Sequence, residues 1–323
     1  MKYRKFGDSG IDVSVVGLGT WPLGSDFFGD VDEKTGIAVI QKALDLGINL
    51  IDTAPAYGLN FEAEYTVGRA IKGRRDKAVI STKFGIHRVL GRDDFAIIGD
   101  YVRCLSPSAA SRELENSLKR LGTDYIDIYF IHWPDWNNGN DGALELLAKW
   151  KKEGKIRAGA VSNFSVEETK QAIEKGRISG IQPHLSLLAR ESLQNGLIPY
   201  AAEKGLGIMT YGSLGGGILT GAFKEPPKVA GNEKRASFYD GFSEARWEKC
   251  NKVIDTLRGI ADSRGVPVSE VSINWVLAQK DVTTALIGTT KPDNLERNAG
   301  AANWELSAEE MTKIEDSYRT NLG

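Results

Sequence analysis

The chain has 323 residues, and its 41% hydrophobic and 26% charged shares supply a large apolar core with no compositional pull toward disorder. Lysine and arginine number 41 against 43 aspartates and glutamates, a net charge of −2 without any basic block, which argues against nucleic acid or an anionic membrane as partner. Cys104 and Cys250 stand far apart and outside any C-x-x-C or histidine-rich setting, so neither a disulfide framework nor a metal site is expected. The opening Met1-Lys2-Tyr3-Arg4-Lys5 lacks the apolar core of a secretory signal, and no apolar run approaches about 18 residues, so the expected address is cytoplasmic.

In chain order, residues 3–13 read as a small hairpin turning at Asp8-Ser9-Gly10, placed to plug the lower end of a barrel. Short β-rich runs then alternate with helical stretches. Strands are predicted at 13–19, 49–52, 78–83, 126–132, 156–162, 181–184, 207–211 and 284–287. Parallel strands covered on both faces read as continuous apolar runs, and Ile126-Asp127-Ile128-Tyr129-Phe130-Ile131 is such a run. Eight of them predict an α/β fold, a single-domain (β/α)8 TIM barrel over 1–323. Ser106 followed by Pro107 opens a helix whose Leu114, Leu118 and Leu121 share a face and which Gly122 closes. Ser165 with Glu168 forms a capping box. Two extra helices are predicted, at 244–263 and 307–318. Long loops at 85–106, 134–141 and 221–243 all follow strands, on the face where barrels bind substrates.

Four polar residues lie at or just past successive strand ends: Asp52, Tyr57, Lys83 and His132. In a closed barrel those ends converge on one rim. A carbonyl that receives hydride needs a proton on its developing alkoxide, and a tyrosine hydroxyl can give it when a neighbouring ammonium makes the phenolate less costly. Lys83 would be that ammonium, Asp52 its ion-pair partner, and His132 the group that orients the substrate oxygen.

Asp52-Thr53-Ala54-Pro55-Ala56-Tyr57-Gly58, Ser81-Thr82-Lys83 and His132-Trp133-Pro134 resemble, in order and spacing, the active-site motifs of the aldo-keto reductases. Gly17-Leu18-Gly19-Thr20-Trp21, Gly47 to Asp52, Ala158 to Phe164 and Tyr211 to Gly221 extend the resemblance over nearly the whole chain. Singly each motif is weak; as a set they are specific. The resemblance implies Tyr57 as general acid or base, Lys83 and Asp52 as its tuning pair, His132 as the orienting residue, and Thr20 and Trp21 at the cofactor.

No G-x-G-x-x-G follows an early strand, so a Rossmann site is not expected. The resemblance implies instead a nicotinamide dinucleotide extended across the barrel mouth. Ser162, Asn163 and Gln182 would hold its carboxamide, and Tyr211 would stack on the ring. Gly212, Ser213, Leu214, Gly215 and Gly217 would receive the pyrophosphate, and Gly288, Thr289, Thr290, Lys291, Asn294 and Asn298 the adenosine end. Asn294 stands where many members carry an arginine for the 2′-phosphate, and Arg297-Asn298 where an acidic residue is common. Lys291 with Thr289 or Thr290 would bind the phosphate, so the expected cofactor is NADP(H), with NAD(H) the alternative. The expected partner is a small carbonyl or alcohol, with Trp21, His87 and Trp133 lining its pocket; Phe27, Phe28 and Trp136 are further candidates, and His184 is a weaker one. A barrel aldolase using Lys83 as an imine-forming amine, a cofactor-holding regulatory barrel with little turnover, and an NAD-dependent sugar or alcohol dehydrogenase are the rival readings.

Overall fold

The computed structural model describes residues 1–24, 28–58, 60, 62–88, 101–137, 139–226 and 235–323. Its strands, in chain order, are β1 (Tyr3–Lys5), β2 (Asp12–Ser14), β3 (Val16–Gly19), β4 (Leu50–Asp52), β5 (Val79–Phe84), β6 (Ile86–Arg88), β7 (Tyr101–Arg103), β8 (Ile126–Ile131), β9 (Ile156–Ser162), β10 (Gly180–Gln182), β11 (Gly207–Thr210) and β12 (Thr284–Ile287). Strands β3, β4, β5, β8, β9, β10, β11 and β12 close into one parallel barrel with helices around it. This is the (β/α)8 architecture that the alternation of runs anticipated.

Closure produces two apolar layers. Val16, Leu18, Ile51, Ile80, Tyr129 and Ile131 point outward into the large core shared with the helices. Leu50, Val79, Ile128, Phe130, Ala158, Ala160, Met209 and Leu286 point inward and fill the barrel. Neighbouring residues on each strand therefore face two different dry environments, which removes the polar-apolar alternation of a half-exposed sheet.

The N-terminal β1–β2 hairpin caps the lower end. Phe6, Ile11 and Val13 are fully buried against the inward layer, with Phe6 edge-on to Phe130 at 6.3 Å. Gly180, at the start of β10, makes room for this plug, because a Cβ there would come within 2.2 Å of the Phe6 ring.

Three local expectations change. The run at 13–19 is two strands, not one: β2 turns back to pair with β1, and Val15 donates its N–H to Lys2 before β3 enters the barrel. The apolar sequence carries no sign of that break because hairpin and barrel bury both pieces. The span at 85–106 is not wholly a loop, since β6 and β7 pair as an antiparallel ribbon above β5, in register Ile86↔Arg103. The span at 221–243 includes the 3-10 turns Arg235–Ser237 and Asp240–Phe242. The two extra helices form as Glu244–Arg264 and Ala308–Asn321 and are tied together by the Arg264–Glu310 ion pair and the Thr256–Ser317 hydrogen bond. Ser106 and Gly122 cap Pro107–Leu121, and the Ser165 capping box opens Val166–Gly176.

Candidate active site

Parallel register sets the upper rim. Asp52 ends β4 opposite Ser81 of β5, and Lys83 lies two residues further along the same inward face. The Lys83 ammonium is fully buried and donates to Asp52 Oδ1 at 2.9 Å, Asp52 Oδ2 at 2.7 Å and the Thr53 carbonyl at 2.9 Å. Asp52 Oδ1 also accepts from Ser81 Oγ at 2.8 Å and Gln182 Nε2 at 2.9 Å. These donors satisfy the buried carboxylate's lone pairs, and its negative charge in turn favours the ammonium opposite it. Burial pulls the Lys83 pKa down from its ordinary value, and the negative charges of Asp52 and Glu64 oppose that pull.

Tyr57 lies above this pair, with Lys83 Nζ 4.9 Å from its ring centroid. Trp21 stacks on the same phenol at 5.9 Å, and His132 meets it edge-on at 6.1 Å. Burial, reinforced by the Lys83 charge, drives the His132 pKa well below 6.5, so the imidazole is neutral. The four residues distant in sequence thus form one cluster.

Beyond β9, Asn163 adopts a left-handed backbone, φ 61°, which asparagine tolerates better than most residues. That turn lets its amide donate to the His132 carbonyl at 2.9 Å while its oxygen accepts from Tyr211 Oη at 2.8 Å. Ser162 Oγ donates to the Gln182 carbonyl at 2.8 Å. His184 stacks on the Tyr211 ring at 4.9 Å, and burial lowers its pKa to about 4.

Two cavities of about 530 Å³ each meet at Trp21, Tyr57 and Tyr211. One extends over Gly212, Ser213, Leu214 and Gly217 to Gly288, Thr289, Thr290, Lys291, Asn294 and Asn298. The other extends over His132, Trp133, Ser162, Asn163 and Gln182. Thr20 and Gly215 are buried and line neither cavity, and Lys83 lies below the surface of both. Phe28 lines the first cavity, not the second. Trp136 is 64% exposed and donates to Glu168. Phe27 and the His87 side chain lie outside the described residues.

The first cavity has features of an anion cradle. Ser213 Oγ is buried without a hydrogen-bond partner among the described residues. Gly212, Gly216 and Gly217 have positive φ, and a Cβ on Gly216 would strike the Tyr239 ring at 2.5 Å. Arg235, Lys291 and Arg297 line it, whereas its one acidic residue among the described residues, Asp52, is already bound to Lys83.

Sequence reasoning missed Gly216, Arg235, Phe238, Tyr239 and Arg103. The first was passed over between two glycines that were chosen. Arg235, Phe238 and Tyr239 come from a long loop without periodicity, where a basic and aromatic cluster was the available signal. Arg103 is carried in by the unforeseen ribbon.

The family model for the aldo/keto reductase family matches residues 15–319. The chain is 37% identical over 317 residues to the aldo-keto reductase YhdN of Bacillus subtilis, covering 97% of this chain and 92% of that protein. It is 32% identical over 327 residues to the NADH-specific methylglyoxal reductase of Escherichia coli, covering 98% of each. Among solved structures, the glycerol dehydrogenase AKR11B4 of Gluconobacter oxydans superposes with a TM-score of 0.89 at 34% identity, covering 99% of this chain and 96% of that one. The closed barrel and these similarities over almost its entire length show that the chain belongs to the aldo/keto reductase family of oxidoreductases.

Proposed function

We propose that this protein, acting as one barrel domain over 1–323, is an NADP(H)-dependent oxidoreductase that interconverts an aldehyde, ketone or sugar carbonyl with the alcohol, with Tyr57 as general acid and base. One observation carries the reading: a buried lysine held charged by Asp52 lies under the Tyr57 ring where two cavities meet. A phenol with an ordinary pKa of about 10 is a poor proton donor and acceptor at neutral pH, and a fixed positive charge nearby lowers the cost of its phenolate. Lys83 spends all three N–H groups on Asp52 and Thr53, so it acts on Tyr57 as a charge through space. The same saturation argues against an imine-forming lysine, whose nitrogen needs a free lone pair. Neutral His132 would donate to or accept from the substrate oxygen without adding a second cation beside Lys83.

When bound, a nicotinamide dinucleotide supplies or takes the hydride. The residues present fit it: the Tyr211 face for the ring, Ser162, Asn163 and Gln182 for the carboxamide, and the glycine turn with the unpartnered Ser213 hydroxyl for the pyrophosphate. A carboxamide docking there competes with Tyr211 for Asn163. Lys291 and Arg297 make no ion pair among the described residues and both line the first cavity, Lys291 at the opening of the helix Pro292–Ala299 and Arg297 in its last turn, which favours a 2′-phosphate. The NADH-specific relative makes cofactor choice the point to test. Titration of the intrinsic fluorescence with NADPH and NADH should give the tighter constant for NADPH, and Lys291→Met should weaken NADPH about tenfold while sparing NADH. Tighter NADH binding, untouched by that substitution, would reverse the cofactor assignment.

A further inference from the structure

We propose that the substrate carries an oxyanion, a carboxylate or a phosphate, remote from its reacting carbonyl, and that Arg103 binds it. The inference rests on the reductase reading above. Arg103 ends β7, and the ribbon brings its side chain to the wall of the cavity that also exposes Tyr57 and His132. Its guanidinium carbon lies 4.8 Å from the Trp133 ring centroid and 4.0 Å from that of Trp136, so two indoles hold the planar group in place.

Among the described residues lining this cavity, Arg103 is the sole formally charged side chain: the rest are aromatic, aliphatic or neutral polar groups, with His132 uncharged. Asp135 is near enough to act on it electrostatically, yet its carboxylate accepts the backbone N–H groups of Leu105 at 3.3 Å and Asn137 at 3.1 Å. The Arg103 side chain makes no hydrogen bond or ion pair among the described residues, which leaves a fork of five N–H donors held by the two indoles and the field of Asp135. A stacked, partly desolvated guanidinium in a neutral cavity suits bidentate capture of a carboxylate or phosphate, with the Trp21 and Trp133 rings covering the carbon chain between the two ends.

The alternative is that Arg103 only staples Trp133 to Trp136. Steady-state kcat/KM separates the two when measured for 4-oxobutanoate against butanal and for glyceraldehyde 3-phosphate against glyceraldehyde. At least one anionic member should be preferred, and the pair that shows the preference identifies carboxylate or phosphate. Arg103→Gln should lower that anionic-to-neutral ratio by about ten- to a hundredfold, and Arg103→Lys should restore part of it. Cofactor titration of each variant controls for folding. Neutral aldehydes turned over with no anionic preference, or with a ratio that Arg103→Gln does not change, would overturn the inference alone. Turnover of none of the four would overturn the reductase reading and the inference with it.

Discussion

In the proposed mechanism the chemistry turns on Tyr57, and its surroundings divide the work. Asp52 fixes Lys83, Lys83 supplies the charge, and Trp21 and His132 hold the ring by its face and edge. Removing only the phenolic oxygen keeps the ring and its packing. Tyr57→Phe should therefore lower kcat by about 10²–10⁴-fold, the usual contribution of a positioned acid, while the NADPH dissociation constant changes little. A variant as active as the parent would remove Tyr57 from the mechanism.

Among elements, the β6–β7 ribbon lines the second cavity with Ile86, Val102 and Arg103, and it is anchored from behind. Gly85, between β5 and β6, donates its N–H to the Glu113 carboxyl at 2.9 Å, and Glu113 comes from the buried face of Pro107–Leu121. Burial pushes the Glu113 pKa up to about 8; nearby Glu64 adds to the rise, while the Gly85 N–H and the Arg120 charge oppose it. A carboxyl whose folded pKa lies above its unfolded value near 4.5 stabilises the fold as the neutral acid. That contribution is complete below about pH 4.5 and is lost as pH rises through 8. Glu113→Gln keeps an acceptor for Gly85 and cannot ionise. Thermal melts at a series of pH values should show the variant gaining on the parent from pH 5 to pH 9, whereas parallel curves would show that Glu113 does not titrate in the folded protein.

At the scale of the whole molecule, a chain of net charge −2 nevertheless concentrates Arg235, Lys291 and Arg297 around one cavity. The barrel allows this because strand ends far apart in sequence share one rim, and the bottom is closed by Phe6 and its hairpin. A ligand bridging β11, β12 and the loops between them binds the folded chain only. Saturation at a hundredfold over Kd should stabilise the fold by about 2.7 kcal/mol. For a chain of this size that is about 4 °C in Tm, readable by scanning fluorimetry. No shift with either nicotinamide dinucleotide would discard the cavity as a dinucleotide site.

What the chain's own order of residues determined was the repeat and its punctuation. Eight apolar runs, the Ser106-Pro107 and Ser165 helix openings and the Gly122 stop are local events, driven by burial, capping and backbone sterics that act within a few residues. The motifs around Asp52, Tyr57, Lys83 and His132 were legible for a related reason, because each side chain is tied to a strand end whose place in a barrel is set by counting. Tertiary structure alone decided the break at Val15, the pairing of Ile86 with Arg103, the stacking of Arg103 on Trp133 and Trp136, and the entry of Arg235 into the first cavity. These are contacts between segments with no shared periodicity, selected by which surfaces remain uncovered after the barrel has closed, and a one-dimensional pattern does not encode that remainder.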